Sequence, residues 1–460
     1  MAARVRSKQV SPTELVQAHL ARIDRINPKI NAFVSRDPEH ALQEARAAEA
    51  AVARGAELGP LHGVPVTIKS SIDVAGFRCE TGTKLRAGNV ASQDAPLVMR
   101  LRAAGAIVLG NTNVPEMLVS YTTDNLLYGR TNNPWDLERT PGGSSGGEAA
   151  AIAACCSAAG VGSDGGGSIR VPAHFSGICG LKPTPGRIPI TGHFPQCVGP
   201  FAFLGVVGPM ARTVRDLELL LEVMAGSESG DVCAAPVPFR RVSDAEARKT
   251  RIGWFEDDGV TRVTPETRAA VRAAAGALEQ QGFEVVPFLP QGLEKARQLW
   301  WTFFGPVGGL MLGPTLAGHE SELSPTLREF VSLVSAEAPP TLEGVLNAWV
   351  GRDLCRSALL AQMENFPVLL CPVSTGPAAR HGQLGWTQDA GRVSFLETMR
   401  YSQWFNLTGN PAAVVPAGRS PEGLPIGVQI VGRPYEEEMV LAIAGKIEQA
   451  LGGWREPPIE

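Results

Sequence analysis

Lysine is scarce in this chain: of 42 basic residues, 8 are Lys and 34 are Arg, so any lysine in an apolar setting stands out. An excess of positive charge is also missing. Against 46 acidic residues the net charge is −4, which gives no footprint for nucleic acid or an anionic membrane. The 8 cysteines contain no C-x-x-C pair, and Cys155 and Cys156 are merely adjacent. Neither a metal site nor a disulfide framework is indicated, and reduced thiols in a cytoplasmic protein are expected. The start, MAARVRSKQVSPTELV, lacks the apolar core of a secretory signal. Two glycine-rich runs lack the G-K-[ST] of a P-loop, and neither is expected to follow a strand as a dinucleotide fingerprint does. No cofactor is therefore expected.

At 460 residues, 44% apolar and 19% charged, the chain is long enough for a large core and too apolar for disorder. Residues 300–318, WWTFFGPVGGLMLGPTLAG, carry no charge over 19 positions, enough to span a bilayer. Their glycines and prolines argue against a continuous helix. A lid or the wall of an apolar pocket is the expectation, with core packing close behind and a monotopic membrane contact third. No transmembrane segment is predicted.

Helices and strands alternate elsewhere. Ser11 and Glu14 form a capping box that opens a helix, a second helix follows Pro38, and VPVTIK is a strand ending at Lys69. Residues 94–105 read as a helix and 106–110 as a buried strand. Further units are the helices at TVRDLELLLEVMAG and PETRAAVRAAAGALEQQG and the strands at RIGWF, FEVVPF, PVLLCP and PIGVQIVG. A final helix begins near Glu436. The alternation indicates an α/β architecture with a central sheet covered by helices. Residues 228–250 are the best candidate for a surface crossover.

The stretch GSDGGGSIR (162–170) reads by composition as a flexible linker, but Asp164 and Arg170 bracket its glycines and can pin the loop through hydrogen bonds. Upstream, Gly143, Ser145 and Gly147 satisfy G-x-S-x-G, the nucleophile elbow of an α/β-hydrolase-type esterase, for which His381 is the well-placed late histidine. The alternative takes both runs together. Ser144 and Ser168 each sit among glycines, which let backbone amides converge on one point, as an oxyanion requires. Neither His174 nor His193 has an accompanying acid at a telling spacing, and His174 reads as a packed core residue. Lys69, at the end of GVPVTIK, remains as a base, since burial disfavours the ammonium form.

GVPVTIK, PGGSSGGEAAAIAA and SDGGGSIRVPAHFSGICGLKPTPGRIP, in that order and at that spacing, resemble the amidase signature hydrolases. The similarity continues through LGVVGPMARTVRDLELL and FNLTGNPAAVVPAG to GLPIGVQIVGRP, and residues 285–365 resemble the family least. The resemblance implies the amidase signature fold: one large domain over 1–460, with a mixed twisted sheet covered by helices on both faces. Residues 62–225 would be its catalytic core and 285–365 a variable lid. It further implies Ser168 as nucleophile, Ser144 as a bridging serine preceded by a cis peptide bond, and Lys69 as base. The amides of Gly165, Gly166, Gly167 and Ser168 would form the oxyanion hole.

The expected activity is hydrolysis of carboxylic amides, with esters or carbamates as further substrates. Residues 300–318 and the segment 114–129, which lines the acyl cavity in the family, suggest apolar or aromatic substrates. A small-molecule substrate is the expected partner, without nucleic acid, and a homodimer is left open. The family also contains the glutamine-using subunit of a tRNA-dependent amidotransferase, which is the alternative. Two positions depart from the family pattern: Ser70 stands where an acid often follows the lysine, and Gly165 where a larger residue is usual.

Overall fold

The computed structural model describes residues 1–383, 385–388 and 391–460. Strands are β1 (Phe33–Arg36), β2 (Pro65–Lys69), β3 (Ile107–Thr112), β4 (Ala159–Asp164), β5 (Cys179–Lys182), β6 (Val206–Ala211) and β7 (Arg251–Trp254). They continue with β8 (Glu284–Pro287), β9 (Val368–Pro372), the hairpin β10 (Gly385–Gln388) and β11 (Gly391–Ser394), then β12 (Ala412–Arg419) and β13 (Pro425–Gly432). All but the hairpin join one 11-stranded sheet in the order β1-β3-β2-β4-β6-β5-β12-β13-β9-β7-β8. The sheet is mixed: β2 runs parallel to β3 and β4, whereas β4–β6, β6–β5, β5–β12 and β12–β13 are antiparallel.

Strand alternation builds a core on each face. In β3, Val108 packs with the helices Pro96–Ala103 and Val214–Met224, while Ile107 and Leu109 pack with the helices Pro12–Ile30 and Pro38–Ala53 on the other side. Central strands such as β2 and β4 are buried throughout, which burial by helices on both faces requires. The capping box forms as expected: Ser11 Oγ accepts from the Glu14 amide at 3.1 Å, and Glu14 Oε2 accepts from the Ser11 amide at 2.8 Å. Helix Gly146–Ala153 lies close against the sheet because Gly160 of β4 has no Cβ; one there would sit 1.9 Å from Glu148 Oε1.

Residues 300–318 differ from expectation. The chain runs helically from Leu293–Thr302, through a wider turn at Phe303–Val307, into Gly308–Leu316. The wide turn holds Pro306, where a regular α-turn would lack a donor and clash with the ring, so the proline shifts the hydrogen-bond spacing instead of ending the helix. No helix among the described residues is long and apolar enough to cross a membrane.

Candidate active site

The register of two parallel strands creates the site. Val66 pairs with Ala159 and Ile68 with Val161, so Lys69, the last residue of β2, comes within side-chain reach of Ser163 near the end of β4. Lys69 is fully buried, and its Nζ lies 2.7 Å from Ser144 Oγ, 2.9 Å from Ser163 Oγ and 3.3 Å from the Ser163 carbonyl oxygen. Burial pushes the amine from 10.5 down to about 7, partly opposed by the carboxylates of Asp164 and Glu148. Near neutral pH it therefore exists substantially as the free base. Glu148 itself is raised to about 7 by burial, against hydrogen bonds from Thr67 and Thr112.

Ser144 reaches this lysine from a loop tied to both neighbours. The Ser145 amide donates to the Ser168 carbonyl at 3.1 Å, and Ser145 Oγ donates to the Ser163 carbonyl at 3.2 Å. The Gly143–Ser144 peptide is cis. Ser144 and Ser168 line one cavity of about 590 Å³. Among the described residues Ser168 Oγ makes no hydrogen bond, which leaves it open to that cavity.

Between β4 and helix Arg170–Ser176, each peptide of the glycine loop is held by its carbonyl. Asn406 Nδ2 donates to the Asp164 carbonyl at 3.1 Å, Trp300 Nε1 to Gly165 at 2.8 Å, Tyr121 Oη to Gly166 at 2.7 Å, and the Val171 amide to Gly167 at 2.7 Å. In a planar trans peptide the N–H points opposite to the C=O, so these four bonds also aim the amides of Gly165, Gly166, Gly167 and Ser168. One of them is already used. Gly167 N–H donates to Asp164 Oδ1 at 2.7 Å, whereas no such partner holds the amides of Gly165, Gly166 and Ser168 among the described residues. Asp164 also accepts from the Ile169 amide at 3.1 Å and pairs with Arg170 at 3.0 Å, both side chains fully buried. Burial alone would raise the Asp164 carboxyl, but the Arg170 guanidinium, the charge of Lys182 and the Ile169 amide together outweigh it and hold the group well below the usual carboxylate range.

Two other expectations change. The glycine run 165–167 does follow a strand, β4, contrary to the sequence reading. A phosphate still finds no cradle there, because the Asp164 carboxylate occupies the amides at the start of the following helix. Ser145 is not on a nucleophile elbow. No strand leads into it, its Oγ is spent bracing β4, and it is fully buried. His381 donates its amide to the Glu138 carbonyl, and among the described residues no hydrogen bond joins it to Ser145. His174 is a core residue as expected, its ring held by the Gly376 carbonyl and the Gly427 amide.

Sequence reasoning missed Ser163, Trp300 and Tyr121, and it weighed His193 only as a base and set it aside. Nothing local marks Ser163, Trp300 or Tyr121, because β4 has little β propensity and each residue acts through a partner distant in the chain. The cavity continues from the serines past Met117, Leu118 and Val119 to Phe304, Leu312 and Phe330, so both 114–129 and 300–318 contribute walls. A Cβ on Gly165 would meet only Phe304, at 3.8 Å, whereas one on Gly166 would lie 2.5 Å from Trp300.

A family profile described as Amidase matches residues 14–441. An acylamidase of Rhodococcus erythropolis is 34% identical over 99% of the chain and 95% of its own length. An indoleacetamide hydrolase of Bradyrhizobium diazoefficiens is 36% identical over 98% and 86%. A glutamyl-tRNA(Gln) amidotransferase subunit of Moorella thermoacetica is 34% identical over 98% and 96%. Among solved structures, a bacterial aryl acylamidase of the amidase signature family superposes with a TM-score of 0.84 at 26% identity, covering 97% of this chain and 94% of the other.

Proposed function

The chain belongs to the amidase family, hydrolases of amide bonds, and we propose that it works alone on amides of apolar or aromatic substrates through an acyl-enzyme on Ser168. The observation that carries this is the 2.7 Å contact between buried Lys69 and Ser144, which lines the same cavity as Ser168.

As Ser168 Oγ bonds to the substrate carbonyl carbon, its proton passes to Ser144, whose own proton passes to the Lys69 lone pair. The carbonyl oxygen becomes an oxyanion facing the amides of Gly165, Gly166 and Ser168. Each such donor typically contributes about 3–4 kcal/mol. When the C–N bond breaks, the proton on Lys69 returns through Ser144 to the leaving nitrogen. Water then attacks the acyl ester by the same relay and releases the acid. Esters and carbamates have better or comparable leaving groups and fit the same route. In this reading residues 62–225 supply the chemistry and part of the cavity lining, and 285–365 supply a further wall.

The apolar walls favour an aryl or fatty acyl group. The amidotransferase-subunit reading draws on the Moorella relative. Free glutamine would need charged partners for its α-ammonium and carboxylate. The cavity offers Arg86, but its acid, Asp164, is committed to Arg170. The test is Ser168→Ala, assayed on anilides, fatty amides, esters, carbamates and glutamine. Turnover and labelling by a fluorophosphonate should both vanish; an active variant would sink the acyl-enzyme reading, and a preference for glutamine would favour the alternative.

A further inference from the structure

His193 takes no part in the relay above, yet it stands one hydroxyl away from its base. Its Nδ1 lies 2.9 Å from the Pro195 carbonyl oxygen, which can only accept, so Nδ1 carries the ring proton. Nε2 is then an acceptor, with Ser163 Oγ at 2.9 Å and Ser71 Oγ at 3.2 Å. Burial and the adjacent Lys69 charge push the ring down to about 4, which keeps it neutral at ordinary pH.

Ser163 has one proton and two neighbours for its hydroxyl. Given to His193, that proton leaves the oxygen lone pairs facing Lys69 Nζ at 2.9 Å. The Ser163 carbonyl, at 3.3 Å, takes a second Lys69 N–H. A neutral amine has two N–H bonds and one lone pair. With both N–H bonds on Ser163, the lone pair faces the remaining neighbour, Ser144 Oγ at 2.7 Å. If Ser163 instead turned its proton to Lys69, it would compete with Ser144 for that lone pair.

We propose that His193 is a positioning residue that, by accepting the Ser163 proton, fixes the Lys69 lone pair on Ser144. The inference rests on the Ser168–Ser144–Lys69 relay proposed above. It also gives Ser71 a place beside the same ring nitrogen, in the pair of serines that follows the lysine.

The expected pH effect has a sign that mere loosening of the fold would not produce. The titratable groups facing Lys69 are Asp164 from β4, Glu148 from helix Gly146–Ala153, and Cys197 and His193 from the loop before β6. Only His193 changes in the substitution His193→Leu. The ammonium form needs Ser163 as an acceptor, and the Ser163 proton then loses its nearest partner. The protonated lysine becomes less favourable, so the midpoint of the kcat profile moves to lower pH. Water admitted by a loosened fold would relieve the burial of Lys69 and move it to higher pH.

The experiment measures kcat and KM for an anilide between about pH 5 and 10 in wild type, His193→Leu, His193→Gln, Ser163→Ala, the His193→Leu/Ser163→Ala double variant and Ser168→Ala. His193→Leu should lower the plateau kcat about tenfold or more with KM within about twofold, and shift the midpoint to lower pH. His193→Gln, whose amide oxygen can accept from Ser163, should recover part of that loss. Adding His193→Leu to Ser163→Ala should cost nothing further, since the two act through one bond. A wild-type plateau in His193→Leu, a midpoint moved to higher pH, or additive losses would each overturn the proposal. Should His193→Leu fail to fold, a wild-type plateau and midpoint in Ser163→Ala overturns it equally. An inactive Ser168→Ala beside an unaltered His193→Leu removes this proposal alone; an active Ser168→Ala removes the relay as well.

Discussion

Trp300 Nε1 donates to the carbonyl oxygen of Gly165 at 2.8 Å. The stretch of chain whose sequence resembles the family least thus fastens the loop that carries Ser168. Trp300 is almost fully buried and stacks on Phe304, with ring centroids 4.8 Å apart, so its indole is held in place from behind. Trp300→Phe keeps the stacking and removes the donor. A hydrogen bond of this kind contributes about 1 kcal/mol, so kcat should fall roughly fivefold with KM little changed. Steady-state kinetics on one anilide decide it, and a change confined to KM would contradict a role in aiming the amides.

In the proposed relay Lys69 sets the pH profile. Lys69 is held at about 7, and the relay needs it unprotonated, so kcat should be low near pH 5, rise through about 7 and level off in the alkaline range. Asp164 and Glu148 both raise that value, so Glu148→Gln should move the rise to lower pH. A profile that falls with pH would contradict a lysine base.

Adjacent glycines should respond oppositely to a single methyl group. Gly165→Ala places its Cβ 3.8 Å from Phe304, an ordinary contact. Turnover of small acyl amides should stay within about twofold, while KM for bulky aryl amides rises as the cavity narrows. Gly166→Ala meets Trp300 at 2.5 Å and must displace the loop, so kcat should drop about a hundredfold for every substrate. Equal losses in the two variants would contradict this picture of the loop.

Asp164→Asn should be costly to the fold itself. It leaves the Arg170 guanidinium buried without its counter-charge and weakens the acceptors for the Gly167 and Ile169 amides. Removing one partner of a buried pair costs about 3–5 kcal/mol. Denaturant unfolding should register a loss of that order, and an unchanged midpoint would show the pair to be dispensable.

Long periodic segments were legible in the sequence. The helices at Pro12–Ile30 and Pro265–Gln280 and the strands ending at Lys69 and Gly432 lie where hydrophobic spacing and capping residues put them. β4 was not read as a strand, because Ala-Gly-Val-Gly-Ser-Asp has little β propensity; its place between β2 and β6 makes it one. Prolines at 306 and 314 suggested broken helix, and the wide turn absorbs the first of them. Within the site, Lys69, Ser144 and Ser168 could be picked out by their glycine and apolar surroundings. Ser163, His193, Tyr121 and Trp300 could not, since each matters only through a partner far away in the chain.

The four carbonyl anchors of the glycine loop have a consequence for how such an enzyme can change. Tyr121 lies just after the wall residues Met117, Leu118 and Val119, and Trp300 one helical turn before Phe304; Trp300 holds the peptide that carries the Gly166 amide, and Tyr121 the peptide whose Gly167 amide is donated to Asp164. The segments that form the walls are therefore tied to the glycine loop. Recasting either segment to suit a new substrate also shifts the loop, unless those two side chains are kept. The adjustable surface is what remains around them: Met117, Leu118, Leu312, Phe330 and the empty place beside Gly165. A library that varies those positions and spares the two anchors would explore new acyl groups without disturbing the machinery that cleaves them.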